Sequence, residues 1–364
     1  MDNNRSVAAI DIAVGGAYGF SSHRVPGIVT TTSGKVLLYW EGRKNNTNER
    51  AVLLRTSCDG GKHFSPIQTL ICGTEKTLLH NPLMIAGPDD SVWFFWCENY
   101  RKLFVCKSSD GGQTFAEPRE LTTFVEQFRN QWPMTLWAIS PGHGICLRKN
   151  STLVLPLWLS CSENAHLPAC FACIYSDDFG ETWKTTSIVR ATDQIGDPTE
   201  AAIAECSDGT LLATLRHEKI GIRRRAFCRG TLGHWGEPYL DDNLPDPICG
   251  GSLLSLLNGK MVFANCAYGD EAVLRLQKQG KMLRWSNDAR QQLTVRASYD
   301  DGRNWSHGVV LAQEGGASDL ALSEDGEYVY CFFEREWVGG NCIFTNRLSF
   351  VALPLATLFS ERTS

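Results

Sequence analysis

An eight-residue motif that recurs along the chain constrains the fold more than any other feature. Four copies follow the pattern Ser-x-Asp-x-Gly-x-x-aromatic, at residues 57–64, 108–115, 176–183 and 298–305. In a tight turn the Asp accepts hydrogen bonds from backbone amides, the Gly tolerates positive φ, and the aromatic ring packs into a core. A run of strand-forming residues leads into each copy. The repeated unit is therefore predicted to be a hairpin corner.

The spacing of the motif predicts what the hairpins build. The copies start at residues 57, 108, 176 and 298, so the intervals are 51, 68 and 122 residues. Because the last interval is about twice the others, a degenerate copy is expected near its middle, at residues 228–235, which keep a final Gly-x-Trp. Periods of this size are typical of a β-propeller. We expect an all-β, six-bladed β-propeller rather than a stack of hairpins or a linear solenoid.

Composition predicts a single domain over residues 1–364. The chain is 43% apolar and 21% charged, and no linker or low-complexity tract divides it. The net charge of −5 argues against nucleic acid or an anionic membrane as the main partner. Apolar runs stay short of the 18 or so residues that a membrane helix needs, and the first four residues do not begin a signal peptide.

The 14 cysteines are scattered, and several stand inside apolar runs. We expect buried free thiols and a reducing compartment, the cytoplasm. Cys170 and Cys173 form a Cys-x-x-Cys pair, but a strand would place them on opposite faces, and no second pair at zinc spacing follows. No metal site and no cofactor are expected.

Charged residues stand near the ends of predicted strands in three separate repeats. Glu200 and Arg216 are placed at the same open end of one hairpin. Arg290 begins the strand before the last copy of the motif, and Arg24 precedes a proline turn. Arginines from three repeats are expected to converge at the propeller axis. Planar guanidinium groups that meet at one point suit a carboxylate ligand.

Polar residues beside aromatic ones predict a sugar-binding cleft. His80 and Asn81 precede the aromatic strand at residues 92–96, and Glu98 follows it. We expect His80, Asn81 and Glu98 to contact the substrate.

The repeated octapeptides resemble the Asp boxes (BNR repeats) of the sialidase, or neuraminidase, superfamily, and the chain looks like glycoside hydrolase family 33. Five other segments match that family in order and spacing: the hairpin that begins at Glu200, and residues 23–26, 141–145, 244–249 and 290–296. The similarity extends from about residue 20 to 350. It implies that Arg24, Arg216 and Arg290 hold a substrate carboxylate, with Arg43 nearby. It also implies that Glu200 is the base that activates the nucleophile, with no metal or cofactor.

The chain departs from the family at two catalytic positions. The family's nucleophilic Tyr stands directly before a Glu in a late strand, and the matching residue here is Phe333, which we expect to face the substrate. Tyr330 would point to the opposite face of the strand. The family's acid Asp belongs to the loop after Arg43, where Glu49 is the nearest acid. Glu49 is therefore predicted to take part in catalysis.

Three functions follow. The first is an exo-α-sialidase-like hydrolase that releases a sialic acid, or a related 2-keto-3-deoxy sugar acid, from a sialylated glycan. Its mechanism would be altered, with Glu200 activating water directly and Glu49, His23 or His80 serving as acid. The second is a lyase acting on an acidic sugar. The third is a non-catalytic sugar-acid binding protein, or an inactive variant.

Overall fold

A computed structural model describes residues 8–45, 47–163, 165–219, 223–268, 275, 278–279, 289–337 and 345–360. These residues form six sheets of short, mainly antiparallel strands around one axis. Four short helical segments are described in full, at Ala17–Gly19, Thr122–Val125, Glu126–Asn130 and Leu355–Phe359. The expected all-β, six-bladed propeller is confirmed.

The blades follow one another along the chain, and their strands run in order from the axis outward. A first strand, β1 (Ile10–Val14), precedes blade 1. Blade 1 holds β2 (Ser22–Thr30), β3 (Val36–Arg43), β4 (Arg50–Ser57) and β5 (Gln68–Cys72). Blade 2 holds β6 (Leu79–Ala86), β7 (Val92–Glu98), β8 (Lys102–Ser108) and β9 (Arg119–Glu120).

The inner edge of blade 3 is divided, because two short strands both pair with the long strand Leu153–Ser160. It holds β10 (Leu136–Ile139), β12 (Ile145–Cys146), β13 (Leu153–Ser160), β14 (Ala169–Ser176) and β15 (Lys184–Thr185). Between the first two, β11 (Gly142–His143) pairs in parallel with blade 2. Blade 4 holds β16 (Ala201–Glu205), β17 (Leu211–Leu215), β18 (Arg224–Gly230) and β19 (Tyr239–Pro245).

The last two blades complete the ring. Blade 5 holds β20 (Ser252–Ser255), β21 (Met261–Cys266), β22 (Gln291–Ser298) and β23 (Val309–Glu314). Blade 6 holds β24 (Ser318–Leu322), β25 (Tyr328–Trp337) and β26 (Thr345–Pro354). Its outer strand is β1, which pairs antiparallel with β26, so that Ile10 lies opposite Phe350. The two ends of the described chain therefore close the propeller together.

The Asp boxes connect the third and fourth strands of their blades. In the last copy, the Ser298 hydroxyl donates to Asp300 Oδ1 at 2.8 Å and accepts from the Gly302 amide at 2.9 Å. Asp300 Oδ1 also accepts from the amides of Arg303 and Asn304. These bonds satisfy turn amides that the sheet leaves unpaired.

The predicted degenerate copy occupies the same place in blade 4. Gly230 at the end of β18 forms an isolated β-bridge with Trp235. The Trp235 ring is buried and packs against Phe171 of blade 3. This copy thus lacks the Ser and Asp of the box, while its aromatic residue still joins two blades.

The boxes and the charged site lie at opposite ends of the blades. In blade 1, Arg24 pairs with Glu41 across β2 and β3, at the end of the sheet where Arg43 pairs with Arg50. The box residue Ser57 closes the other end of this sheet. The arginines therefore project from the face of the propeller that is remote from the boxes.

Apolar side chains fill the spaces between neighbouring blades. Cys170 faces the core cluster shared by blades 2 and 3, whereas Cys173 faces the one shared by blades 3 and 4, as the strand period predicts. All 13 cysteines that the structure describes are free. Within the described ranges there is no group of metal-binding side chains and no helix long and apolar enough to cross a membrane.

Candidate active site

A cavity of about 480 Å³ opens at the propeller axis, on the face remote from the boxes. The starts of the inner strands form its floor. Arg24 and Asn81 lie within the first three residues of β2 and β6, and Glu200 immediately precedes β16. Gly250 and Ala317 just precede β20 and β24. Five blades thus contribute their inner edge to one pocket.

Five arginines line the pocket, and they come from three blades: Arg24, Arg43, Arg50, Arg216 and Arg290. Four carboxylates interact with them at close range: Glu41, Glu200, Glu218 and Glu334. Guanidinium groups that converge on one pocket suit a ligand that carries a carboxylate.

Arg24 is fixed by the buried Glu334 of β25. Its Nε and Nη2 donate to the two carboxylate oxygens at 2.9 and 3.0 Å, which is a bidentate pair. Glu334 also accepts from the amide of Val25, whose φ of 59° is strained for a β-branched residue. Burial raises the pKa of Glu334, but the attraction of Arg24 outweighs it, so the pKa is lowered from its usual value. Glu334 is an anion that orients Arg24.

Arg216 and Glu200 lie at one hairpin end, as predicted. Their backbones are joined, since the Arg216 amide donates to the Glu200 carbonyl at 3.1 Å. Arg216 Nη1 donates to Glu200 Oε2 at 2.7 Å, and its Nη2 donates to Glu218 at 2.9 Å. Burial raises the pKa of Glu200, but Arg216 reverses this effect, and the pKa is lowered from its usual value. Glu200 is therefore an ionised group on the pocket wall.

Arg290 completes the convergence that the sequence predicted. It stands just before β22 and is 6% exposed. Its Nη2 donates to the Ile248 carbonyl at 3.1 Å, which ties it to the segment preceding β20. Arg24, Arg216 and Arg290 therefore reach the pocket from blades 1, 4 and 5.

Arg43 and Arg50 share a buried acid that the sequence analysis missed. Both donate to Glu41 Oε2, at 2.7 and 3.2 Å. Glu41 Oε1 accepts from the Asn81 amide at 2.7 Å, and the Asn81 side chain donates to the Ile139 carbonyl. The cluster could have been found from the antiparallel pairing of β3 with β4, because this pairing places Arg43 opposite Arg50.

An aromatic wall faces the arginines, and it too was missed. It consists of Tyr100, Trp158 and the exposed His166. The His166 ring lies 4.8 Å from that of Trp158 and 5.0 Å from that of Tyr100, between centroids. All three rings come from blades 2 and 3. Sequence offered little signal for His166, since it belongs to the loop between β13 and β14.

The placement of Phe333 at the substrate is wrong. Its side chain is fully buried with Leu293 and Leu320 in the core between blades 5 and 6, and it does not line the pocket. The reason is the two-residue period of β25: Glu334 faces Arg24, so Phe333 must face the other way. Tyr330 is also remote, because it packs near the boxes against Phe350.

Neither His23 nor His80, the two histidines predicted as alternative acids, lies on the pocket wall. Burial lowers the pKa of His23 to about 4 and that of His80 to about 3, so both are neutral near pH 7. His23 Nδ1 accepts from the Trp40 indole. His80 lies behind the pocket, where it stacks on Tyr100 at 3.7 Å and accepts from the Tyr100 amide. His80 supports the wall and does not itself line the pocket.

Two predicted acids also lie outside the pocket wall. Glu49 forms a solvent-exposed ion pair with Lys44. Glu98 accepts from the Trp96 indole at 3.3 Å on the side of blade 2. Of the predicted substrate contacts, Arg43 and Asn81 do line the pocket.

A family model for a BNR repeat-like domain matches residues 72–333. That span exceeds half of the chain. The chain belongs to the BNR repeat-like domain family. An exo-alpha-sialidase of Arthroderma benhamiae is 25% identical to this chain over an alignment of 369 residues, which covers 88% of this chain and 79% of that protein.

Solved sialidase structures share its propeller. The Hadza microbial sialidase Hz136 superposes with a TM-score of 0.76 at 20% identity, covering 96% of this chain and 69% of that one. Trypanosoma rangeli sialidase in complex with sialic acid superposes with a TM-score of 0.67 at 16% identity, covering 96% of this chain and 57% of that one. The sialidase relatives support a sialidase-like, glycosidase-type function for this BNR repeat-like domain, and the resemblance to the sialidase superfamily is confirmed.

Proposed function

We propose that this protein releases a terminal sialic acid, or a related 2-keto-3-deoxy sugar acid, from a glycan. Arg24, Arg216 and Arg290 would hold the acid's carboxylate. One observation carries the proposal: guanidinium groups from three blades line a single axial cavity. The relative from Arthroderma benhamiae, an exo-alpha-sialidase, supports the same substrate class.

The reaction we propose is hydrolysis through an oxocarbenium-like transition state. The carboxylate sits on the anomeric carbon of such a sugar, so three arginines that hold it also fix the reacting carbon. Their charge offsets the repulsion between that carboxylate and an approaching nucleophile. Bound sugar is thereby oriented with its anomeric carbon toward the floor of the pocket.

Glu200 is proposed as the general base. It is ionised because Arg216 lowers its pKa, and it lines the pocket wall. Since residue 333 is a buried Phe, the base is expected to activate water directly, and water attack inverts the anomeric centre. His166 is the imidazole among the described lining residues, and at the rim it can pass a proton to the leaving-group oxygen.

A binding protein is the second candidate, and the buried Phe333 favours it. Because Phe333 lies in the core and supplies no nucleophile to the pocket, the arginines could hold a sugar acid that is never cleaved. The site would then recognise the carboxylate through the same three arginines. Binding and cleavage predict the same affinity for free sialic acid but differ in turnover.

The test is to mix the purified protein with sialyllactose and to follow the products by proton NMR. We expect free sialic acid to appear first as the β-anomer, because inversion of an α-ketoside gives that product. Glu200→Gln should lower kcat by about 10² to 10⁴-fold and change ligand affinity little. Binding without turnover identifies the binding protein, and a vinylic product signal identifies a lyase. If Arg290→Ala keeps both binding and turnover, the proposed site is refuted.

A further inference from the structure

One loop between blades 4 and 5 forms part of the wall of the arginine pocket. It covers residues 246–251 and joins β19 to β20. Cys249 and Gly250 of this loop line the pocket. The Ile248 carbonyl accepts a hydrogen bond from Arg290 Nη2 at 3.1 Å. The position of the 246–251 loop therefore affects both the pocket wall and the orientation of Arg290.

Arg225 of β18 packs against this loop, and its side chain is fully buried. Its Nη1 donates to the Cys249 carbonyl at 3.0 Å and to Asp246 Oδ1 at 3.4 Å. Its Nε donates to Thr214 Oγ1 on β17 at 2.6 Å. One planar guanidinium group thus joins two points of the loop to the sheet of blade 4.

The loop backbone also rests directly on this guanidinium group. A Cβ atom at Gly251 would lie 3.2 Å from Arg225 Cζ and 3.0 Å from the Ala264 carbonyl oxygen. These distances are too short for an ordinary side-chain contact, so glycine is what allows the close approach. Arg225 Cζ lies 5.7 Å from the centre of the Phe263 ring, within the range of a cation–π contact. Arg225 is therefore enclosed by the loop and by β21.

We propose that Arg225 is a positioning residue, which holds the 246–251 loop on blade 4 and thereby orients Arg290 toward a substrate carboxylate. Arg225 does not line the pocket, so it acts on a ligand only through the loop. The carbonyl that it holds, of Cys249, and the carbonyl that Arg290 contacts, of Ile248, belong to adjacent residues, so they move together. The effect on affinity rests on the proposed role of Arg290, whereas the effect on the loop does not.

Two variants disturb this contact from opposite sides. Arg225→Met keeps the length of the side chain but removes its charge and its donors. Gly251→Ala pushes the loop away from Arg225 and leaves every charge in place, so it remains informative if Arg225→Met does not fold. Arg225→Lys returns the charge beside Asp246 without the planar fork, and it should recover part of what Arg225→Met loses. Arg229→Met is the matched control, since Arg229 stands on the same strand and donates to the Asp301 carbonyl at 2.7 Å, near the boxes.

Both readouts are made on the folded protein. The first is the affinity for sialic acid, measured by calorimetry. Arg225→Met should weaken it about tenfold, as for one charge-assisted hydrogen bond, and Arg229→Met should leave it unchanged. The second is the rate at which iodoacetamide alkylates Cys249, which is 1% exposed, followed by mass spectrometry. Loss of the hydrogen bond from Arg225 should raise this rate about tenfold. Cys173, buried between blades 3 and 4, should stay protected. Gly251→Ala should change both readouts in the same direction.

Three results would contradict the positioning role. Arg225→Met and Gly251→Ala could both bind sialic acid as the unaltered protein does, or Arg229→Met could weaken binding equally. Alkylation could also accelerate equally at Cys249 and Cys173, which would mean that the whole domain loosens. If the unaltered protein binds no sialic acid, the proposed function fails, and alkylation of Cys249 alone then decides whether Arg225 holds the loop.

Discussion

Glu334→Gln tests whether a buried acid on blade 6 sets the first arginine of the site. The substitution keeps the shape of the side chain and an acceptor for the Val25 amide. It replaces a carboxylate oxygen by an NH₂ group, which meets the donors of Arg24. The guanidinium then loses a bidentate partner that carries the opposite charge.

The magnitude follows from burial. Removing one partner of a buried ion pair costs about 3 to 5 kcal/mol, because a charge is left without compensation. The Glu334 side chain is 0% exposed and that of Arg24 is 13% exposed, so some water reaches the cation. We therefore expect the lower end, about 3 kcal/mol. With an m value of about 3 kcal/mol/M in urea, the unfolding midpoint should fall by about 1 M.

The assay is urea unfolding followed by tryptophan fluorescence, together with the affinity for sialic acid. Glu49→Gln is the matched control, since Glu49 pairs with Lys44 in solvent and should cost less than about 1 kcal/mol. Affinity should weaken about tenfold in Glu334→Gln, and Glu334→Asp should restore part of it by returning the charge. If the Glu334 and Glu49 variants unfold at the same urea concentration, or if Glu334→Gln binds normally, the assigned role of Glu334 is wrong.

Three further outcomes are expected. Ser298→Ala removes the acceptor of the Gly302 amide and should lower the free energy of unfolding in urea by about 1 to 2 kcal/mol. The affinity for sialic acid should not change, because the box lies at the far end of the blade, and a change in affinity would contradict this separation. Phe333→Tyr buries a hydroxyl among apolar neighbours and should destabilise by about 1 to 3 kcal/mol without raising hydrolysis; a strong rise would return residue 333 to the pocket. Glu41, Glu200 and Glu334 have folded-state pKa values below the unfolded value of 4.5, so their ionised forms stabilise the folded protein above pH 4.5. This stability is lost as the pH falls through the lower, folded-state pKa values. The urea concentration at the unfolding midpoint should therefore fall below pH 4.5, and it should fall less in Glu334→Gln.

The sequence was sufficient to predict the architecture because the repeated corner is a local signal. The Ser and Asp of the turn each form hydrogen bonds within five residues, so the sequence of each copy is sufficient to predict its turn. Even the degenerate copy could be located, because Trp235 keeps its packing role. The ion pair of Glu200 and Arg216 was also within reach, since one short hairpin brings them together.

The rest of the site depends on contacts between distant blades. Glu334 reaches Arg24 across 310 residues, and no pattern near either residue specifies the partner. Phe333 was misplaced because motif order suggested a Tyr position, whereas the alternation of β25 decides which side chain faces inward. The aromatic wall was not predicted for a similar reason, because Tyr100 and His166 come from loops of different blades.

The pairing of β1 with β26 has a consequence for the order in which the fold can form. Ile10 and Phe350 are pairing partners, although they lie near opposite ends of the described chain. Closing a segment of this length costs about 5 kcal/mol of chain entropy before any contact compensates for it. While the ribosome is still adding blades, β1 has no edge on which to pair. The ring can therefore be completed only after β26 has emerged, and until then the nascent chain carries an open strand edge that can pair with other chains.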